Sequence, residues 1–142
     1  MKVIFNCKHY DFHRDYCLNI HNELLKRGHE SIISTNEEWY EDADFTIQPD
    51  EACKRQGGLG IWINHAFPFI PHNKFYLEED FVRDITNHSD YIFTFSEAWA
   101  EWHKHYNLPI EVVGMPKLDN LFNVKKEKPV ILYAPTWNKD LT

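Results

Sequence analysis

His65 stands in "GIWINHAFPFIP", residues 60–71, after a short apolar run and before a loop of prolines and phenylalanines. An imidazole titrates near neutral pH, so at the end of a buried strand it can take a proton from a hydroxyl. The competing description is an ordinary hydrogen-bonded loop residue, and spacing alone leaves both open. Other reactive or polar groups collect where apolar runs stop. They are Asn6, Lys8, His9, Asp11 and His13 after the first run, and Asn64 beside His65; Ser96 and Glu97 follow a later run, and Gly114, Pro116, Lys117 and Asp119 the next. Cys7, His9, His13 and Cys17 are residue types that bind zinc. Cys7 is expected at a strand end and Cys17 on the apolar stripe of a helix, so no metal site is expected. His103 and His105 are two apart on an expected helix, hence on different faces, and make no ligand pair.

Seven apolar runs could position these groups: residues 2–7, 30–35, 44–48, 60–66, 90–96, 110–115 and 130–135. Four are nearly unbroken Val, Ile, Phe or Leu, which suits strands covered on both faces, as in a parallel sheet. Between the first two, Phe12, Tyr16, Ile20 and Leu24 recur every four residues with Cys17 and Leu25 beside them, a helical stripe with Asp11 as N-cap and Gly28 as stop. Further helices are expected over 50–56, 77–89 and 96–107, the last capped by Ser96. Trp39, Trp62, Trp99 and Trp102 are expected to pack in the core or in loops. Alternation of strand and helix predicts an α/β, doubly wound, Rossmann-like parallel sheet with right-handed crossovers. In such sheets ligands bind beyond the carboxyl ends of the strands, where the polar groups named above collect.

The chain has 142 residues, 43% hydrophobic and 26% charged, which fits one globular domain with a core. With 15 Lys and Arg against 22 Asp and Glu, the net charge of −7 opposes attraction to nucleic acid, so no nucleic-acid partner is expected. Three cysteines and a start, "MKVIFNCKHY", without a secretory signal point to a cytoplasmic protein. No apolar run reaches the roughly 20 residues of a membrane span, so any contact with the inner face of the membrane is expected to be peripheral. No GxGxxG follows the first strand and no GxxxxGK[ST] or GxSxG occurs, so no cofactor is expected.

"YIFTFSEAWAEWHKHYNLPIEVVGMPKLDNLF" followed by "PVILYAPTW" resembles the CDP-glycerol glycerophosphotransferase family, enzymes of teichoic-acid-type polymer synthesis with the two-domain GT-B fold. Gly114, Pro116, Asp119 and Leu121 match that family's Gly-x-Pro-Arg-x-Asp-x-Leu segment, with Lys117 at the arginine. Tyr133, Ala134, Pro135, Thr136 and Trp137 match its Tyr-Ala-Pro-Thr-Trp strand. "WINHAFPF" resembles its Trp-His-Gly-Thr-Pro-Leu stretch, with His65 at the histidine, Ala66 at the glycine, Phe67 at the threonine, Pro68 at the proline and the tryptophan displaced to Trp62. The similarity spans about residues 60–137.

The resemblance implies an acceptor-side domain over 1–115, a linker over 116–129, and over 130–142 the first strand of a truncated donor-binding domain. It implies His65 as catalytic base, with Asn6, His9, His13, Asn64 and Ser96 lining the acceptor side and Thr136 on the donor side. The expected reaction is transfer of a glycerol-phosphate type unit from a CDP-linked donor to a polyol-phosphate or glycan acceptor hydroxyl. The chain alone, lacking the rest of the donor site, is expected to be inactive. A UDP-sugar glycosyltransferase on the same fold and a non-catalytic α/β binding module are the alternatives.

Overall fold

The computed structural model describes residues 1–8, 11–36, 38–49, 54–63 and 79–114, with the side chains of 11–13 and 81 excepted. Six of the seven expected strands fall within these residues: β1 (Lys2–Asn6), β2 (Glu30–Ser34), β3 (Phe45–Gln48), β4 (Leu59–Ile63), β5 (Tyr91–Thr94) and β6 (Ile110–Val112). The seventh run, at 130–135, lies outside them, as do the linker and the start of a second domain. All five pairings are parallel, in the order β2-β1-β3-β4-β5-β6. β1, β3 and β4 are buried along nearly their whole length, which is why their sequences show unbroken apolar runs. The structure is thus an α/β, Rossmann-like sheet.

Helix α1 (Asp11–Lys26) crosses from β1 to β2, and its stripe meets the odd-numbered side chains of the central strands. Tyr16 and Cys17 are buried with Val3, Phe5, Cys7, Ile47, Ile61 and Ile63, while Ile20 and Leu24 pack against this cluster. Leu25, expected on the stripe, is instead 47% exposed, because four-residue spacing from Cys17 through His21 carries it past the sheet-facing edge. The helix ends as expected at Gly28, whose φ of +76° suits a residue without Cβ. There His29 N–H donates to Leu24 O and Gly28 N–H to Leu25 O, both at 3.0 Å, which caps two orphan carbonyls. Asp11 is the first residue of α1 rather than the residue before it.

The opposite face is covered by α2 (Glu79–His88) and α3 (Glu97–His103), followed by a 3₁₀ turn over Lys104–Tyr106. Trp62, Ile85, Ile92 and Tyr106 form the core here. Moving outward in one direction puts α1 on one face, and moving the other way puts α2 and α3 on the other, as right-handed crossovers require. Close approach fixes Gly60, since a Cβ on it would lie 2.0 Å from His88 O at the end of α2.

No helix covers residues 54–56, where the sequence pattern predicts one; the rest of that expected helix, 50–53, lies outside the described residues. The backbone there is used otherwise. Gln56 N–H donates to Thr46 Oγ1 at 3.1 Å, Gln56 O accepts from Tyr40 N–H at 2.7 Å, and Lys54 O accepts from the Asn6 amide at 2.8 Å. The segment is a strap over a polar patch of the sheet, and it partners the buried Thr46 hydroxyl, which also donates to Gly57 O at 2.6 Å. Gln48 Nε2 donates to His88 O at 2.6 Å, and Arg55 pairs with Asp90 at 3.1 Å.

His103 and His105 lie on different faces, as the spacing predicts. His105 is exposed, whereas His103 is fully buried, with ring centroids of Trp102, Trp62, Trp99 and Tyr106 between 5.1 and 5.8 Å away. Burial first, and the neighbouring His105 charge second, lower its pKa from 6.5 to about 4. Between these values the unfolded chain binds a proton that the folded chain excludes. Stability should therefore fall as pH drops from 6.5 towards 4, by about 3 kcal/mol for the full shift. Urea midpoints taken across this window should fall more steeply for the native chain than for His103→Leu; equal slopes would refute the assignment. Trp62 is a core residue and Trp99 and Trp102 are partly buried, as packing requires, while Trp39 is 59% exposed.

Candidate functional site

The strand order creates a switch point: the chain leaves β1 towards β2, then returns past β1 to β3, so the connections after β1 and β3 run apart. Crevices form at such points at the carboxyl edge of the sheet. β4 borders β3, one strand from the switch, and reaches the carboxyl edge at Ile63. His65 follows two residues later in the chain; it and Asn64 lie outside the described residues, as do His9, Thr136 and the side chain of His13.

Asn6 ends β1 and is buried at the switch. Its Nδ2 donates to Lys54 O at 2.8 Å and its Oδ1 accepts from Lys8 N–H at 3.2 Å. The residue expected to contact an acceptor therefore ties the strap and the β1–α1 turn to the sheet, with one amide N–H and one lone pair that meet no partner among the described residues. Ser96 follows β5 and caps α3, its Oγ accepting from Trp99 N–H at 3.4 Å. A strand, a serine and a helix thus occur in the order that the sequence pattern predicts.

Sequence reasoning found Asn6 at this edge but missed Ser34, Gln48 and Thr94. Ser34, Asn6 and Gln48 are buried at one level of register on β2, β1 and β3, beside Trp62 on β4. The signal was present in "DFTIQ", where Thr46 and Gln48 alternate with apolar residues and so must share one face. Thr94, at the end of β5, is 1% exposed, and its hydroxyl has no hydrogen-bond partner among the described residues. A buried hydroxyl without a partner destabilises the fold. Thr94→Val should consequently leave stability unchanged or raise it by about 1 kcal/mol, as read by urea unfolding. A loss larger than that would show that the hydroxyl is bonded within the fold.

Cys7 and Cys17, expected on separate features, are brought together. Both are buried in the α1-facing core without a disulfide. Among the described residues no group of three or more His, Cys, Asp or Glu gathers in metal-binding geometry, and no helix is long and apolar enough to cross a membrane.

What the edge can do chemically is hold a hydroxyl-bearing or amide-bearing ligand through neutral groups, Asn6, Thr94 and Ser96, beside the end of β4. Neither a protein-family model, nor a curated protein, nor a solved structure matches this chain.

Proposed function

We propose that the chain is the acceptor-side, Rossmann-like domain of a GT-B-type transferase that moves a glycerol-phosphate unit from a CDP-linked donor to a hydroxyl of a polyol-phosphate or glycan. The observation that carries this reading is the course of β4. This buried central strand runs parallel to its neighbours and ends at Ile63 on the carboxyl edge, one strand from the switch point and two residues before His65 in the chain. His65 then serves as general base towards the acceptor hydroxyl, with Asn6, Ser96 and Thr94 offering neutral hydrogen bonds to the polyol, and His9, His13 and Asn64 nearby in sequence.

The resemblance of residues 60–137 to CDP-glycerol glycerophosphotransferases supports the choice of donor. Thr136 and the remainder of a donor domain would hold the nucleotide. A polymer acceptor at the membrane would bring the protein to the inner face peripherally.

The test is a side-by-side assay of the complete gene product with CDP-glycerol and with UDP-sugars, reading release of CMP or UDP in the presence of a polyol-phosphate acceptor. Turnover of CDP-glycerol supports the proposal. Turnover of UDP-sugars alone transfers the fold to glycosyl transfer, and no turnover with either donor leaves a binding module.

A further inference from the structure

The two faces of the sheet are covered unequally. α2 and α3 lie on one face, and on the other α1 alone packs against the central strands among the described residues. Beside α1 on that face is a cavity of about 280 Å³, open at one end. Its floor is Val3 on β1, Ile47 on β3, Ile61 on β4 and Phe93 on β5, and its wall is Ile20 and Leu24 of α1. Every lining side chain is apolar, and Met1, 52% exposed, stands at the mouth. Protein interiors are packed to the density of organic crystals and leave few voids larger than a water molecule. An empty space of this size therefore forfeits contacts that larger side chains at the same positions would restore. An apolar cavity of about half this volume stays dry and takes up benzene.

Shape selects the ligand. β1, β3, β4 and β5 are successive neighbours in the sheet, and three spacings of about 4.8 Å make the floor about 14 Å long. A volume of about 280 Å³ over that length leaves a cross-section of about 20 Å². A helix, about 10 Å across with its side chains, needs roughly four times as much, whereas a single hydrocarbon chain fits. At about 1.2 Å per bond of an extended chain, the length corresponds to about ten to twelve carbons. Charge at the mouth selects the head group. The Met1 ammonium lies 4.0 Å from the Asp44 carboxylate, so the two charges offset and leave no net partner for a charged head. We infer that this cavity binds one alkyl chain of about ten carbons, whose uncharged head group stays in solvent beside Met1. Met1 precedes β1, so the mouth opens at the amino edge of the sheet, away from the carboxyl edge where the proposed transfer takes place. The tail site is thus separate from the acceptor site, and its occupancy is read without turnover.

The experiment follows the methyl resonances of the full chain, labelled with carbon-13 at Ile, Leu and Val, during titration with n-decyl maltoside below its micelle concentration. The expected result is a saturable shift of the Ile20, Leu24, Ile47 and Ile61 methyls, and no shift with maltose, which carries the head alone. Affinity should fall roughly fourfold for each methylene removed, so n-hexyl maltoside should bind at least about tenfold more weakly. n-Decanoate, with the same tail and an anionic head, should bind more weakly than the maltoside. Leu24→Trp, which puts a larger side chain into the cavity from the partly buried face of α1, should abolish the shifts while leaving the urea midpoint unchanged or raised. Absence of the shifts, equal affinity for the hexyl and decyl chains, or shifts that persist in Leu24→Trp would overturn the inference. Methyls that respond in this chain but not in the complete gene product, or not in a dimer of it, would assign the cavity to a protein segment and overturn it as well. Should Leu24→Trp fail to fold, the chain-length series on the native protein decides.

Discussion

Trp62→Ala should cost about 3–5 kcal/mol, which is much of the 5–15 kcal/mol that holds a domain of this size together. The indole is 4% exposed and packs edge-on against His103 at 5.3 Å and Tyr106 at 5.6 Å. Its removal leaves a cavity between β4 and the α3 end of the chain that neither ring can fill, because both are held by other aromatics. Urea unfolding followed by circular dichroism should show the midpoint falling by about 2 M at unchanged slope. Trp62→Phe, which keeps a ring in the site, should recover most of this loss. A decrease below about 1 kcal/mol for alanine would mean that the cluster is not the packing centre of this face. The same substitution bears on the proposed site, since Trp62 anchors the end of β4 three residues before His65.

His65→Ala in the complete gene product should lower the rate of CDP-glycerol turnover by 10²–10⁴, the usual contribution of a positioned general base. The argument runs through the strand: Ile63 is 1% exposed and Trp62 is locked, so the backbone that leads to position 65 starts from a rigid element. Rigid delivery matters because proton abstraction requires hydrogen-bond reach to the acceptor hydroxyl. A general base acts on the acceptor rather than on the fold, so the urea midpoint should move by less than about 0.5 kcal/mol equivalent. Comparing kcat with KM separates a base from a binding residue: loss in kcat with KM held supports the base, and unchanged turnover sinks it. Thr94→Val, neutral or stabilising for the fold, should raise KM for the acceptor if its hydroxyl binds there.

The apolar runs and the four-residue stripe of α1 were enough to read six parallel strands and three helices from composition and period, because strands buried on both faces and a helix buried on one leave distinct periodicities. Gly28 and Ser96 marked helix ends for equally local reasons, φ preference and a side-chain oxygen at the cap. Tertiary structure decided what no window of sequence carries. It set the strand order that puts the switch between β1 and β3, and it laid residues 54–56 as a strap across the sheet, where Gln56 N–H and Gly57 O partner the buried Thr46 hydroxyl. It also buried His103 among four aromatic rings while leaving His105 in solvent, and gathered Cys7 and Cys17 into one core cluster across ten positions of chain. Local pattern records which face a residue takes; which other residues share that face depends on how the strands are ordered, and that order is a long-range property.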